Sequence, residues 1–393
     1  MFKGKICSVG VWDESIPDIS FDENGKSSLC LLQEKLISDY PRGDAGLLEW
    51  EMLVSKMKLS GRKKQYDCIV GLSGGTDSSY LLHICKKYDL RVLAVNLDNG
   101  WSSDIAVKNI KKMTSLLGFD LLTYVIDYEE VKVVLRAYIK ASLPWVDSPT
   151  DMAIKASLYL TAKKEKVKYI LNGSDFRTEG KQPFDWTYSD SKQFHYLVKK
   201  YENIRLKSFP VLSYFKLGWL SIFQGIKVIR PFYFLEYSKQ KAQDELIKLY
   251  DWEYYGGHHH ENIFTKFIMS YWLYEKFGID KRKITLSAQV INRDISRDDA
   301  IRIIEKMPYN PDEIEFQINY ICKKLDFSRA EFDNYFKANN KYFTDYPNNH
   351  KLIFGNLKMI SFLSSKAMLY KPSSISQTNF DNNKLHPNNE IDK

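Results

Sequence analysis

Cysteine is scarce in this chain: five in 393 residues, at positions 7, 30, 68, 85 and 322. An odd, scattered set excludes a disulfide framework and fits a reducing compartment. No apolar run nears the roughly 18 residues of a membrane-spanning helix. The opening MFKGKICSVG lacks the long apolar stretch of a secretion signal. A cytoplasmic protein is expected. Charge of one sign is also scarce. The 57 Lys and Arg against 49 Asp and Glu leave +8, which suits an anionic small substrate and is too weak and scattered to argue for nucleic acid. What is plentiful is aromatic: 26 Tyr, 22 Phe and 8 Trp favour packed helices and ring-lined pockets over disorder.

The length allows two or three domains. Residues 1–60 form a small N-terminal unit, with helices expected near 28–40 and 45–59 and extended segments around Ile16-Pro17-Asp18-Ile19 and Phe21-Asp22-Glu23-Asn24-Gly25. From 61 to 240 apolar runs alternate with helical spacing. Strands are expected at 66–72, 91–97, 121–125 and 168–171, and helices at 78–88, 105–117 and 153–164. That alternation predicts an α/β domain with a doubly wound parallel sheet and its ligand at the carboxyl ends of the strands. Residues 241–370 are expected to be helical, with a long helix over 261–277 and helix starts at Ser296, Asn310-Pro311 and Ser328. Residues 371–393, polar and rich in Asn and Ser, are expected to be a disordered tail.

The chemistry concentrates in Ser73-Gly74-Gly75-Thr76-Asp77-Ser78-Ser79, between an expected strand and an expected helix. Two glycines let the backbone approach an anion, and the helix start offers its N–H groups. Ser73, Ser78 and Ser79 add hydroxyl donors. Asp77 would repel phosphate by itself, and makes sense as a Mg²⁺ ligand bridging to pyrophosphate.

The loop resembles the SGGxDS loop of the N-type ATP pyrophosphatases, or PP-loop enzymes, and lacks the Gly-Lys-Ser/Thr ending of a Walker A loop. The resemblance implies ATP cleaved between its α and β phosphates and adenylation of a carbonyl oxygen. Three further elements fall in family order. Leu97-Asp98-Asn99-Gly100-Trp101 resembles the segment near the nucleotide, and Asn172-Gly173-Ser174-Asp175 the element near the phosphates. Arg230-Pro231-Phe232 with Ser238-Lys239 resembles the late element whose lysine approaches ATP. The implied nucleotide contacts are the loop, Asp98, Gly173 and Ser174, with Asp77 and Lys239 catalytic and ATP and Mg²⁺ as cofactors.

Ser148-Pro149-Thr150-Asp151, Thr178-Glu179-Gly180, Trp186, and the stretch from His258 to Ala300 with its Asp280-Lys281-Arg282-Lys283 resemble the N-acetyl sugar amidotransferases. Those enzymes serve surface-polysaccharide and flagellin-glycan pathways. They convert an acetamido group of an activated sugar into an acetamidino group. Thr178, Glu179, Lys281 and Arg282 become candidates for positioning an acidic sugar or completing the site, and Arg suits bidentate contact. Each has an ordinary ion-pair reading beside it. Relatives carry two Cys-x-x-Cys pairs near the N-terminus. Here Gly10 and Ser27 stand opposite Cys7 and Cys30, two thiolates fall short of four ligands, and no zinc is expected. His258-His259-His260 reads better as capping or substrate-facing than as a metal site. With no Gly-x-Cys-x-Gly elbow and Phe2 as the second residue, ammonia is expected from a separate glutaminase subunit. The aromatic C-terminal helices are core first, and a homodimer face or glutaminase dock second. Competing readings are a tRNA thiolase or other adenylating ligase, and a non-catalytic family member.

Overall fold

The computed structural model describes residues 2–257 and 260–354. Helices α1 (Ser28–Asp39) and α2 (Asp44–Gly61) precede the sheet. The segments expected to be extended before them make only isolated bridges, Ile6 with Asp13 and Phe21 with Ser27. Pro17 has no N–H to extend a ladder there.

Five parallel strands follow: β1 (Cys68–Gly71), β2 (Val92–Asp98), β3 (Asp120–Val125), β4 (Tyr169–Leu171) and β5 (Lys227–Ile229), in the order β3-β2-β1-β4-β5. Ile69 of β1 lies opposite Leu93 on one side and Ile170 on the other. Helices α3 (Thr76–Lys87), α4 (Asp104–Leu117), α5 (Tyr128–Lys140) and α6 (Ser148–Lys164) connect the first four strands. The period-two geometry of a strand divides its side chains between two cores. Cys68, Val70, Val92 and Ala94 join the main core with Leu81, Leu82 and Cys85 of α3. Ile69, Leu93, Val95 and Ile170 face Leu158, Tyr159 and Ala162 of α6. The doubly wound α/β sheet read from the sequence is thus borne out. Its expected strands fall within two residues of those observed, while β5 and α5 are additions.

Short helices α7 (Phe176–Glu179) and α8 (Phe184–Thr187) follow β4, then α9 (Ser191–Tyr201) and α10 (Tyr214–Ile222). Helix α11 (Lys239–Tyr250) follows β5. In the helical C-terminal region, the single helix expected over 261–277 is α12 (Ile263–Phe267) running into a π-helical stretch, Ile268–Lys276. The wider turn still buries Ile268, Trp272 and Leu273. Helices α13 (Arg282–Ile291), α14 (Arg297–Glu305), α15 (Pro311–Lys324), α16 (Arg329–Lys337) and α17 (His350–Phe354) follow. The starts of α14, α15 and α16 are capped as the side-chain chemistry requires. Ser296 accepts from Asp299 N, Asn310 from Asp312 N, and Ser328 forms a capping box with Glu331.

The N-terminal unit is clamped to this region. Lys283 pairs with Asp13 at 2.6 Å, with both side chains buried. Val11 N donates to Ser287 Oγ, and Arg297 donates to the carbonyls of Gly10 and Cys7. Among the described residues no helix is long and apolar enough to cross a membrane. The expected tail at 371–393 lies outside the described residues.

Candidate active site

The chain leaves β1 toward β2 on one side and returns to β4 on the other, so the carboxyl ends of β1 and β4 part. A cleft belongs at such a switch point. The SGGTDSS loop stands there. Gly74 has φ +80°, and a Cβ on it would lie 2.3 Å from the carbonyl oxygen of Ala106, so no other residue fits this close approach. Gly75 starts α3 without a side-chain cap, leaving first-turn N–H groups to be satisfied by something other than a cap. One of them, Thr76 N, donates to the Tyr255 hydroxyl at 3.0 Å. Ser78 Oγ accepts from Ser73 N and donates to the Gly75 carbonyl, both at 3.2 Å. The β4 loop closes in from the opposite side, since a Cβ on Gly173 would lie 2.8 Å from Asp77 O.

Asp77 and Lys239 meet as an ion pair at 3.3 Å, and the Tyr237 hydroxyl donates to the other Asp77 oxygen. Burial works against the charge of Lys239. Asp77, with Tyr255, Glu179 and Glu261, outweighs it and holds the ammonium above its ordinary pKa.

The cleft measures about 580 Å³. Trp145, Asp147, Asp151, Glu179, Thr265 and Lys281 also line the cleft. Lys281 Nζ sits 3.7 Å above the centre of the Trp145 ring, a cation–π contact strengthened by desolvation. Trp145 Nε1 donates to Asp151 at 2.7 Å, and the Thr265 hydroxyl donates to Asp147 Oδ2. Asp147 precedes α6 in the capping position yet makes no cap, because that oxygen is turned to Thr265. Its other oxygen, Oδ1, is buried without a hydrogen-bond partner among the described residues. Burial, then the neighbouring Asp151, pushes Asp147 up to about 7; Thr265, Thr150 and Lys281 pull the other way. Burial pulls Lys281 down to about 8. Two groups poised near neutrality thus share one wall, a pattern common where protons move.

Of the residues expected at the site, Ser73, Gly75, Asp77, Ser78, Gly173, Ser174, Glu179, Lys239 and Lys281 line the cleft. The others stand elsewhere. Gly74 and Thr76 shape the loop from behind, and the buried Ser79 Oγ accepts from Trp252 Nε1 at 3.2 Å. Asp98 accepts from Gly100 N at 2.9 Å and holds the turn after β2, while Leu97 and Asn99 face the cleft. Thr178 is buried, its carbonyl taken by Gln289. Arg282 turns back to pair with Asp280 at 2.7 Å and to donate to the carbonyls of Ile303 and Ile304. It braces α13 against α14 and does not reach the cleft. Trp145, Asp147, Tyr237 and Tyr255 carried no sequence signal.

Cys7 and Cys30 are both buried. Ser27 N donates to Cys7 Sγ at 3.3 Å, and hydrogen bonding to Cys30 brings the Cys7 thiol down to about 5 against the cost of burial. Ser27 Oγ caps α1, and a Cβ on Gly10 would meet Ser287 and Trp12 at 2.9 Å. Of the histidine run, His258 and His259 lie outside the described residues, and His260 N donates to the Gly257 carbonyl.

The cleft fits a nucleotide's phosphates: a glycine cradle that a Cβ would fill, first-turn N–H groups, and Lys239. It also fits magnesium in the way that ion is usually held, by one or two carboxylates with phosphate oxygens completing the shell. Asp77 stands in the loop and Glu261 at its edge. Among the described residues no group of three His, Cys, Asp or Glu forms a preset metal cage.

Residues 261–361 match the family model described as LPS biosynthesis protein WbpG-like, C-terminal domain. Over that stretch the chain is similar to that family. The match supports the kinship read from the motifs, and the WbpG-like segment brings Glu261, Asn262, Thr265 and Lys281 to the same cleft as the phosphate loop. No curated protein matches the sequence. Among solved structures the chain is similar to the NMN synthetase from Francisella tularensis, at 12% identity over 72% of this chain and 97% of that one, with a TM-score of 0.32. It is also similar to the NH3-dependent NAD synthetase from Campylobacter jejuni subsp. jejuni NCTC 11168, at 17% identity over 67% and 98%, with a TM-score of 0.28. Likenesses this shallow carry no argument about the site.

Proposed function

We propose that this chain is an ATP-dependent adenylating enzyme of lipopolysaccharide or related glycan biosynthesis, and that it converts an acetamido group of an activated sugar into an acetamidino group. The observation that carries the reading is the composition of the cleft. One side is a phosphate loop of the PP-loop kind, and the other is built partly by the WbpG-like segment.

An amide carbonyl is a poor electrophile, and adenylation remedies this. The acetamido oxygen attacks the α-phosphorus of ATP as the bond to the β-phosphate oxygen breaks and pyrophosphate leaves. Ser73, Ser78 and the N–H groups that open α3 hold the departing pyrophosphate. Lys239 adds positive charge beside it. Magnesium, when bound, supplies charge neutralisation at the phosphates, with Asp77 as its loop ligand. On the acceptor wall Lys281, Glu179, Asp147 and Asp151 orient the sugar and handle its protons. Ammonia then attacks the activated carbon, and AMP departs with the electron pair of the C–O bond.

Ammonia would come from a separate glutaminase subunit. All five cysteines are buried, which speaks against a cysteine nucleophile for glutamine and equally against the exposed persulfide of a thiolase. The test follows AMP and pyrophosphate with ATP, Mg²⁺, ammonium and a panel of nucleotide-activated N-acetyl sugars. AMP release that requires both sugar and ATP is expected. ADP formation, or release indifferent to every acetamido sugar, would refute the reading.

A further inference from the structure

Glu261 poses an electrostatic problem. Its carboxylate lies against the backbone a phosphate would approach. Ser73 Oγ donates to Oε1 at 3.5 Å, and a Cβ on Gly75 would lie 3.0 Å from the same oxygen. The position is fixed by backbone. Ser103 N donates to the Glu261 carbonyl at 2.8 Å, Ile263 N to the Trp101 carbonyl at 2.9 Å, and Ser102 bridges to Asn262. Asn262 then caps α12. The carboxylate is therefore held at the loop's edge by the turn that follows β2. It is not carried there by a loose side chain on a free segment.

Lys239, the cleft cation at the loop, is ion-paired with Asp77. Among the described residues, a triphosphate entering here would meet the carboxylates of Asp77, Glu261 and Glu179, all of which already act on Lys239. Like charges at such range repel strongly in a partly desolvated site. The arrangement becomes favourable only if a further cation arrives with the nucleotide and is shared between carboxylate and phosphate. We infer that Glu261, from the WbpG-like segment, is a carboxylate ligand of the divalent cation that accompanies ATP. This inference rests on the reading of the cleft as an ATP site. It makes the C-terminal region part of the nucleotide site as well as of the acceptor wall.

The test is a linkage measurement and needs no turnover. Affinity for α,β-methylene-ATP is measured by titration calorimetry with Mg²⁺ and with EDTA, for the full chain and for Glu261→Gln. In the unsubstituted protein Mg²⁺ should tighten binding tenfold or more. In Glu261→Gln that gain should fall below about threefold, with metal-free affinity equal or better because a negative charge has gone. Glu261→Asp, which keeps the charge on a shorter arm, should recover part of the gain; matched thermal unfolding of the variants shows that the fold is kept. Retention of the full Mg²⁺ gain in Glu261→Gln overturns the inference. So does equal tightening in Mg²⁺ and EDTA, which would make Glu261 a phosphate mimic that blocks the empty loop. A metal-independent affinity in the unsubstituted protein overturns the inference and leaves the ATP site standing. No nucleotide binding in either buffer overturns both.

Discussion

Asp147 offers a sharp physical test because its proton affinity reports directly on stability. The carboxyl stands at about 7 in the folded chain against an ordinary 3.8. Between those values the folded state holds a proton that the unfolded state has released, so stability is greatest at the acid end and is lost as pH rises through about 7. At about 1.4 kcal/mol per pH unit the whole effect is about 4 kcal/mol, of which about 2.5 kcal/mol falls between roughly pH 5 and pH 7.5. Asp147→Asn replaces the acid with an amide that cannot ionise and can still accept from Thr265. Urea unfolding of both proteins should then show the variant gaining on the parent by about 2 kcal/mol across that interval. Staying below pH 7.5 keeps Lys281, lowered to about 8, mostly protonated. Asp151 faces the same carboxyl, so its own titration must be followed by repeating the series in Asp151→Asn. A stability difference between parent and Asp147→Asn that does not change with pH would refute the reasoning, because it would mean that the buried carboxyl is ionised throughout or is not buried at all.

Two further substitutions test the frame. Gly74→Ala forces a Cβ to within 2.3 Å of a backbone carbonyl at a positive φ; it should cost more than ~2 kcal/mol in urea unfolding, and near-parental stability would show that the loop is not packed on α4 as described. Lys283→Met leaves the buried Asp13 without its ion pair and should cost about 3 kcal/mol, while adding Asp13→Leu should recover most of it; strictly additive losses in that double-mutant cycle would show that the pair does not join the N-terminal unit to α13.

The phosphate loop was legible in the sequence because it is contiguous. Seven adjacent residues, an apolar run before them and a helical spacing after them define its geometry locally. The acceptor wall was not. Asp147 and Thr265 touch across 118 residues of chain, and nothing local to Trp145 or Asp147 distinguishes them from core. Adjacent residues also parted company. Lys281 and Arg282 read alike, yet Lys281 enters the cleft while Arg282 is turned back by Asp280 two residues earlier. Asp98 and Asn99 divide in the same way, since the turn after β2 needs an acceptor for Gly100 N. Side-chain direction at a helix start or a tight turn is decided by which partner is nearest in three dimensions, and spacing does not encode it.

The pinning of residues 261–263 to the turn after β2 bears on how the two halves of the proposed reaction would stay coupled. Adenylation needs the acceptor oxygen held in line with the α-phosphorus, and a small displacement costs heavily in rate. If the C-terminal region were a tethered appendage, that geometry would depend on domain closure. Here Thr265 and Lys281 reach the cleft from a segment whose first residues are hydrogen-bonded to Trp101 and Ser103, in the turn after the strand next to the one that carries the phosphate loop. The N-terminal unit grips α13 through Lys283 and Ser287 and α14 through Arg297. Acceptor wall and phosphate loop are thereby braced from both ends. The cleft is set by packing, and this lets buried groups with shifted proton affinities stand opposite the site proposed to hold a polyanion.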